Sequence, residues 1–193
     1  IREHSQGINE LAFAQQANKD GGTTLLLASA SSDRTIGIWS LAERKEDQWQ
    51  VKLEDEQQRS LYSVKFREDG KGVTAVDDNG QIFVWDITRP DVPNLVETYT
   101  AVSPRIGMVS YSGDGQIVAV GNLGGTVQLF QVATGKLIQE LSDETGPILS
   151  LALSTDGQLL VTGNKEGHLR FWSVAEGKLQ QVIETKPVAL NAI

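Results

Sequence analysis

The chain has 193 residues, of which 39% are hydrophobic and 22% charged, which is ordinary for a globular protein. Its formal net charge of −8 argues against a general nucleic-acid binder, because such a protein needs a basic surface to displace phosphate counterions. The absence of cysteine excludes disulfide and thiolate chemistry and is compatible with a reducing cytoplasm, so we expect a cytoplasmic protein. We also expect no membrane association, because no apolar run approaches the roughly 18 residues of a membrane span and no segment has a signal-peptide layout.

One pattern recurs four times along the chain. Its copies end in the segments SDRTIGIWS (32–40), DNGQIFVWD (78–86), LGGTVQLFQ (123–131) and KEGHLRFWS (165–173). Their aromatic anchors follow one another at intervals of 46, 45 and 42 residues; these anchors are Trp39, Trp85, Phe130 and Trp172. A fixed period of about 40–45 residues is typical of repeat architectures.

Within each copy the apolar residues alternate with polar ones, which predicts β-strands. In copies two to four, the last apolar residue of the first strand precedes the aromatic anchor by 19 residues; these residues are Phe66, Tyr111 and Leu153. Asp-Gly pairs follow these strands and predict hairpin turns. In the first copy the interval is 26 residues, and the polar stretch 14–24 that holds the excess predicts an enlarged turn. Each copy is therefore predicted to be a four-stranded antiparallel meander.

Four-stranded units at this spacing, with Trp-Asp or a variant ending the third strand, resemble the WD-repeat β-propeller family over essentially the whole chain. The resemblance implies an all-β fold, a β-propeller built of four-stranded antiparallel blades. The blades are expected at residues 1–57, 58–103, 104–145 and 146–186, with 187–193 as the first strand of a further blade. Propellers have about 4–8 blades. We therefore expect an incomplete ring or a fragment of a larger propeller, completed by further blades of the same protein or by another copy.

The family resemblance also assigns a structural role to one set of side chains. A fully formed blade of the family carries a buried, hydrogen-bonded His, Ser, Asp and Trp, and the first copy matches it with His4, Ser29, Asp33 and Trp39. The other copies depart from this set, and at the Ser position they carry Ala75, Val120 and Thr162. We expect the complete network once, as a brace for the blade, and the anchors Trp85, Phe130 and Trp172 as core residues.

No motif for catalysis or for metal binding is present. The chain has two histidines, His4 and His168, and the latter is expected at the surface of a strand. It has no G-x-S-x-G turn and no zinc-ligand spacing, although sequence alone leaves a Ser–His–acid set open. The segment VDDNG (76–80) lacks the alternation and the distal Glu of a calcium loop. We therefore predict no catalytic residue, no metal and no cofactor.

The resemblance implies a binding face made by the loops that enter strand one and those between strands two and three. The candidate partner-binding residues at these positions are Ser32, Tyr62, Asp78, Arg105 and Lys165. An aromatic residue together with Arg is typical of binding hot spots. The alternative is that these are ordinary loop residues.

These features predict a non-enzymatic scaffold module that presents a rigid propeller face to a protein or peptide partner. One alternative is a purely architectural set of blades in a larger multidomain signalling protein. A second alternative is a propeller hydrolase, which would place acidic residues or metals around a central channel.

Overall fold

A computed structural model of the chain describes residues 4–17, 21–41, 50–54, 59–67, 69–89, 91–101, 106–142 and 146–184. None of these residues belongs to a helix long and apolar enough to cross a membrane. Two sequence predictions fall outside the described residues, namely the partner-binding role of Arg105 and the strand at 187–193.

The described residues form sixteen strands in four antiparallel sheets. In each sheet four consecutive strands lie side by side in chain order, so every connection joins neighbouring strands. The strands are β1 Ile8–Ala17, β2 Thr23–Ser31, β3 Thr35–Ser40, β4 Gln50–Glu54, β5 Leu61–Phe66, β6 Gly72–Asp77, β7 Gln81–Asp86, β8 Asn94–Thr100, β9 Ile106–Tyr111, β10 Ile117–Asn122, β11 Thr126–Gln131, β12 Lys136–Ser142, β13 Ile148–Leu153, β14 Leu159–Asn164, β15 His168–Ser173 and β16 Lys178–Glu184. The all-β class and the four-stranded units are thereby confirmed.

The inner and outer strands of a sheet differ in burial. Every residue of β3 and of β6 is buried, whereas every residue of the outer strand β16 is exposed. Strands that are covered on both faces tolerate continuous apolar runs, and this explains segments such as GVTAVD (72–77).

The first compact unit, Ile1–Thr100, contains the first two sheets. Strand β5 packs against β1, β2 and β3, and one apolar core joins the two sheets. Leu26, Ile36 and Ile38 of the first sheet are fully buried in this core, together with Leu61 and Val64 of β5. The side of the second sheet that carries β5 is thus covered by the first sheet.

The second compact unit, Ala101–Ile193, repeats this arrangement with the third and fourth sheets. Strand β13 packs against β9 and β10. Leu129 and Leu160 are fully buried in the shared core, and Leu153 N–H donates a 3.0 Å hydrogen bond to Ser110 Oγ across the two sheets.

The Asp-Gly turns between first and second strands follow the sequence prediction. Their glycines adopt positive φ, at 67°, 70° and 70° for Gly70, Gly115 and Gly157. The preceding carboxylates close the turns by accepting the backbone N–H two residues on, at 2.8–3.0 Å, from Lys71, Gln116 and Gln158. Glycine suits this conformation because it has no Cβ to clash.

The prediction of an enlarged turn over residues 14–24 is wrong, because residues at both ends of this stretch belong to the strands of the first hairpin. Strand β1 continues to Ala17 and β2 begins at Thr23, so most of the extra residues lengthen the hairpin. The paired register runs without interruption from Glu10↔Ala30 to Ala17↔Thr23. Polar side chains such as Gln15 are accommodated because that position is exposed.

Candidate functional site

The predicted binding residues that the structure describes lie at the corresponding edge of their own sheets. Because the strands are antiparallel, the start of each first strand pairs with the end of the second, as in Leu61↔Asp77 and Ile148↔Asn164. We call this the front edge of a sheet: the start of its first strand together with the turn between its second and third strands.

A β-bulge occurs at the front edge of all four sheets. In each sheet the register of the first strand shifts by one residue, and the residues left unpaired are Asn9, Tyr62, Gly107 and Leu149. A bulge re-aims the side chain of its extra residue. In β5 this effect is visible in the burial, because Tyr62 is 37% exposed between the buried Leu61 and Ser63.

In the first unit, polar side chains join the front edges of the two sheets. Asn9 Nδ2 donates a 2.8 Å hydrogen bond to the carbonyl of Leu61 and also lies 3.2 Å from Ser32 Oγ. Ser60 Oγ donates at 3.4 Å to the carbonyl of Ser32. We call Asn9, Ser32, Ser60 and Leu61 the front seam of the first unit.

Three of the five predicted binding residues lie together along this seam. Ser32 belongs to it, and Tyr62 directly follows Leu61. Asp78 is connected to it because its N–H donates a 3.0 Å hydrogen bond to the carbonyl of Ser60. The exposed carboxylate of Asp78 lies 3.9 Å from Arg59 Nη1, a distance at which an exposed ion pair contributes little.

Lys165 lies on a different sheet from these three residues. It occupies the turn between β14 and β15 in the second unit, where its side chain is exposed. It is therefore at the front edge of the fourth sheet, and its role in binding stays a prediction.

The His4 set lies beneath the front edge of the first sheet. His4 Nδ1 lies 3.0 Å from Asp33 Oδ2, and His4 Nε2 lies 2.6 Å from Ser29 Oγ. A carboxylate only accepts hydrogen bonds, so Nδ1 donates to Asp33, and in the neutral ring Nε2 then accepts from the Ser29 hydroxyl. The set connects the segment before β1 to β2 and to the following turn.

Asp33 is the most highly connected member of this set. Burial alone would raise the pKa of Asp33, but hydrogen bonds to its carboxylate from the Thr35 hydroxyl, the Ser5 N–H and His4 outweigh burial. The pKa of Asp33 is consequently lowered from 3.8 to about 2. This carboxylate is a buried structural anion, with 4% of its side chain exposed.

Trp39 departs from the hydrogen-bonded set that the resemblance implies. Its buried Nε1 has no hydrogen-bond partner among the described residues, and its ring meets His4 edge-on with centroids 6.2 Å apart. The ring lies over Gly37, where a Cβ would come within 2.2 Å of Trp39 Cη2. Gly37 thus leaves room for this ring position, and packing replaces the hydrogen bond.

The fourth sheet contains a hydrogen bond that the sequence analysis did not predict. Trp172 Nε1 donates at 3.1 Å to Thr162 Oγ1, and both residues are buried. Thr162 occupies the position that Ser29 has in the first sheet. The sequence could have predicted this hydrogen bond from the hydroxyl at this position, because either Ser or Thr can accept from an indole N–H.

The order Ser29–His4–Asp33 has the connectivity of a catalytic triad, but its burial argues against that use. A nucleophilic hydroxyl must contact the substrate carbonyl. Ser29 is only 1% exposed and lies in the middle of the strand pairing between β1 and β3. The geometry therefore supports bracing of the sheet.

The second histidine, His168, begins strand β15. The prediction that His168 is a surface residue is wrong in part: the residue is half-buried, and its Nδ1 is inaccessible and lacks a partner among the described residues. Within the described ranges, no three His, Cys, Asp or Glu side chains are close enough to hold a metal ion.

The sequence analysis also missed a residue that shapes each front-edge turn. This residue ends the second strand, and its side-chain oxygen accepts backbone N–H groups of the turn; the four are Ser31, Asp77, Asn122 and Asn164. For example, Asn122 Oδ1 accepts from Gly124 N at 2.8 Å and from Thr126 N at 3.0 Å. Ser, Asp and Asn are the residues that favour such side-chain-closed turns.

Comparison with known proteins identifies relatives that share this repeat. The family model described as WD domain, G-beta repeat matches residues 1–40 and 135–173. An uncharacterized WD repeat-containing protein of Synechocystis sp. is 27% identical over 150 residues, 77% of this chain and 40% of that protein. Polycomb protein EED of Chaetomium thermophilum is 38% identical over 93 residues, 47% of this chain and 15% of that protein.

The fold has a counterpart among solved structures. A propeller chain in the crystal structure of the mitotic checkpoint complex matches with a TM-score of 0.72 at 18% identity, over 95% of this chain and 52% of that chain. At this identity the likeness concerns the fold alone. The chain spans 40% or less of the length of the two curated relatives named above.

Proposed function

Because the chain is a WD-repeat protein, we propose that it is a non-enzymatic module that binds a protein or peptide through the front edge of its first unit. WD-repeat proteins are generally protein-interaction scaffolds. We further propose that the protein works in the cytoplasm, and that Lys165 and Arg105 take part in partner binding. A rigid sheet framework suits this role because its loops lose little conformational freedom on binding.

The observation that carries the proposal is the exposed bulge residue Tyr62 beside the front seam. The seam hydrogen bonds hold Ser32 and Leu61 in place, so the residues around them are preorganised. Tyr62 then offers an amphipathic ring, and Asp78 offers a charged group on the same edge. Tyr contributes large contact areas at low entropic cost, and it is enriched at hot spots.

The test is affinity capture by the full chain, compared between the wild type and the variants Tyr62→Ala and Asp78→Ala. Leu95→Ala is the matched control, because Leu95 is an exposed residue on the outer strand of the same sheet. We expect partners retained by the wild type and by Leu95→Ala to be lost with Tyr62→Ala. An unchanged set of partners across all four proteins would contradict binding at this edge.

A second candidate function is architectural, and the first strand of the first sheet favours it. Leu11 and Phe13 are 55% and 60% exposed, whereas the equivalent residues of β5, Val64 and Phe66, are 1% and 3% exposed because the first sheet covers them. By analogy, the face that carries Leu11 and Phe13 is suited to pack against another blade. That blade would come from the same protein or from another copy.

A further inference from the structure

The turn between β6 and β7 contains a chemically reactive dipeptide. Asn79 is followed by Gly80, and this is the one Asn-Gly pair in the chain. In such a pair the main-chain nitrogen of the glycine can attack the side-chain carboxamide of the asparagine, because glycine has no side chain to block the approach. Whether this reaction occurs in a folded protein depends on how the two groups are held.

The carboxamide of Asn79 is the reacting group that the fold leaves unrestrained. Asn79 is half-buried, and within the described part of the chain its side chain has no hydrogen-bond partner, although its main-chain N–H donates to Asp77 Oδ1 at 2.9 Å. Other asparagines differ in this respect. Asn9 Nδ2 donates to the carbonyl of Leu61 at 2.8 Å, and Asn122 Oδ1 accepts two main-chain N–H groups at 2.8 and 3.0 Å. A side chain without such bonds can rotate toward the following nitrogen at little cost.

The main-chain nitrogen of Gly80 is held more firmly, and this opposes the reaction. Gly80 is buried, its φ is 82°, and its N–H donates a 3.2 Å hydrogen bond to the carbonyl of Asp77 that closes the turn. A distance of 3.2 Å lies at the long end of the range for N–H···O bonds. Surface turns open locally at a far lower free energy than the whole domain, so one bond of this kind slows the reaction without abolishing it.

We propose that Asn79 is a site of spontaneous deamidation, at which the folded protein slowly acquires a negative charge on its front edge. The Gly80 nitrogen gives up its proton and bonds to Cγ of Asn79, the bond from Cγ to the side-chain nitrogen breaks, and ammonia leaves with the proton. Water then opens the resulting cyclic imide at either carbonyl carbon. Opening at Cγ leaves an aspartyl residue, and opening at the main-chain carbonyl leaves an isoaspartyl residue whose main chain runs through Cγ.

The product changes the charge of the edge beside the front seam. The exposed carboxylate of Asp78 directly precedes Asn79, so the reaction places two negative charges side by side. Position 79 corresponds to Asp33 of the first sheet, whose carboxylate accepts a hydrogen bond from the Thr35 hydroxyl, and in the second sheet Gln81 replaces that threonine. The new carboxylate therefore lacks this donor and adds to the negative charge of the edge. The reaction needs only the residues of this turn, so the inference goes beyond the proposed function and does not depend on it.

The test is peptide mapping by mass spectrometry of the purified full chain, after incubation at neutral pH and physiological temperature. Electron-based fragmentation distinguishes aspartyl from isoaspartyl products, and a synthetic peptide of residues 74–84 gives the rate without the fold. Two controls separate the contributions of the glycine and of the carboxamide. Asn94 is exposed but is followed by Leu95, and the variant Leu123→Gly places a glycine after Asn122, whose carboxamide is hydrogen-bonded. Thermal unfolding verifies that this variant is folded, as expected from the exposure of Leu123.

We expect Asn79 to react in the folded chain at a rate within about tenfold of that in the peptide, because one hydrogen bond must open first. Asn94 should stay unconverted over the same period. Asn122 of Leu123→Gly should react at least about tenfold more slowly than Asn79 of the same protein, because its carboxamide must first lose two hydrogen bonds.

Two outcomes would overturn the inference. A rate at Asn79 that is more than about tenfold below that of the peptide, or no conversion at all, would show that the turn protects the pair. Equal rates at Asn79 and at Asn122 of Leu123→Gly would show that the unrestrained carboxamide is not what makes Asn79 reactive. Neither outcome concerns the capture of partners by Tyr62→Ala, so a failure here leaves the proposed function intact.

Discussion

At the scale of single residues, Asp33 organises the front edge of the first sheet. Its carboxylate accepts hydrogen bonds from His4, from the Thr35 hydroxyl at 2.6 Å and from Ser5 N–H at 2.8 Å. A buried anion remains charged only when such donors replace its hydration. The stability of this edge should therefore depend on the charge of Asp33.

This dependence predicts a specific effect of pH. The pKa of Asp33 is about 2 in the folded protein against 3.8 as its ordinary value, so the charged form stabilises the fold above pH 4 and this contribution is lost as pH falls toward 2. The full contribution is about 2 kcal/mol, and about 1 kcal/mol should be lost by pH 3. The variant Asp33→Asn lacks this contribution to the free energy of unfolding at every pH.

The measurement is urea unfolding of the wild type and Asp33→Asn at pH 7, 4 and 3, followed by tryptophan fluorescence. The difference in free energy of unfolding between the two proteins should shrink as the pH is lowered. A difference that is constant between pH 7 and pH 3 would show that Asp33 is not held as a buried anion.

The tryptophan anchors Trp39 and Trp172 differ in the surroundings of their indole N–H groups. Trp172 donates to Thr162, whereas Trp39 is packed against His4 without a hydrogen bond. Thr162→Val keeps the shape of the side chain but leaves the Trp172 N–H buried and unpaired, which should cost about 1–3 kcal/mol.

A double-mutant cycle separates this hydrogen bond from packing. Thr162→Val, Trp172→Phe and the double variant are compared by urea unfolding, and we expect a coupling energy of about 1 kcal/mol. Trp39→Phe is the matched control, since it removes an indole N–H that has no partner among the described residues. Additive effects of Thr162→Val and Trp172→Phe would contradict the bond.

At the scale of strands, packing between sheets depends on polar contacts as well as on the apolar core. Glu10 of β1 reaches across to β5, where its carboxylate accepts hydrogen bonds from the Ser63 hydroxyl and, at 2.8 Å, from Val64 N–H. A backbone N–H that points at a neighbouring sheet must find an acceptor there, because a buried unpaired donor is costly.

Glu10→Ala should therefore weaken the docking of β5 on the first sheet. We expect a loss of about 1–3 kcal/mol in the free energy of unfolding, because Ser63 and Val64 keep their buried donors without an acceptor. Amide hydrogen exchange should accelerate at Val64. The control is Glu97→Ala on the exposed outer strand β8, which should change neither the free energy of unfolding nor the exchange rate at Val64. Unchanged exchange at Val64 in Glu10→Ala would contradict the role of Glu10 in docking β5.

At the scale of the whole molecule, the exposed face of the first sheet is the feature with consequences for assembly. Leu11 and Phe13 of β1 and Leu25 of β2 expose apolar surface there, whereas Val64 and Phe66, the β5 equivalents of Leu11 and Phe13, are buried. Contiguous exposed apolar surface favours association. The chain should consequently associate more strongly as its concentration rises.

Leu11→Ser combined with Phe13→Ser should reduce this association. Static light scattering over a range of concentrations measures it, and Val182→Ser on the outer strand β16 is the control for removal of an exposed apolar side chain elsewhere. Equal average masses for the wild type and the double variant at all concentrations would argue against this face as a contact surface.

The sequence by itself determined the strands, their grouping in fours and most of the turns. Alternation along a strand and the chemistry of Asp-Gly turns are local properties, so the spacing between Phe66 and Trp85 was sufficient to place β5 to β7. Local reasoning failed in the first hairpin, where polar residues such as Gln15 continue the strand because pairing with Leu25 satisfies their backbone.

Only the tertiary structure decided which side chains meet. The bulge that exposes Tyr62, the reach of Glu10 to Val64 and the position of the Trp39 ring over Gly37 depend on contacts between strands that are distant in sequence. The positive φ of Arg34 likewise became visible only in the fold. The equivalent positions of the other front-edge turns are glycines, which indicate such a conformation in the sequence, whereas an arginine does not. Residue spacing specifies hydrogen-bonding partners along neighbouring strands, whereas packing specifies which side chains are buried, paired or free to bind.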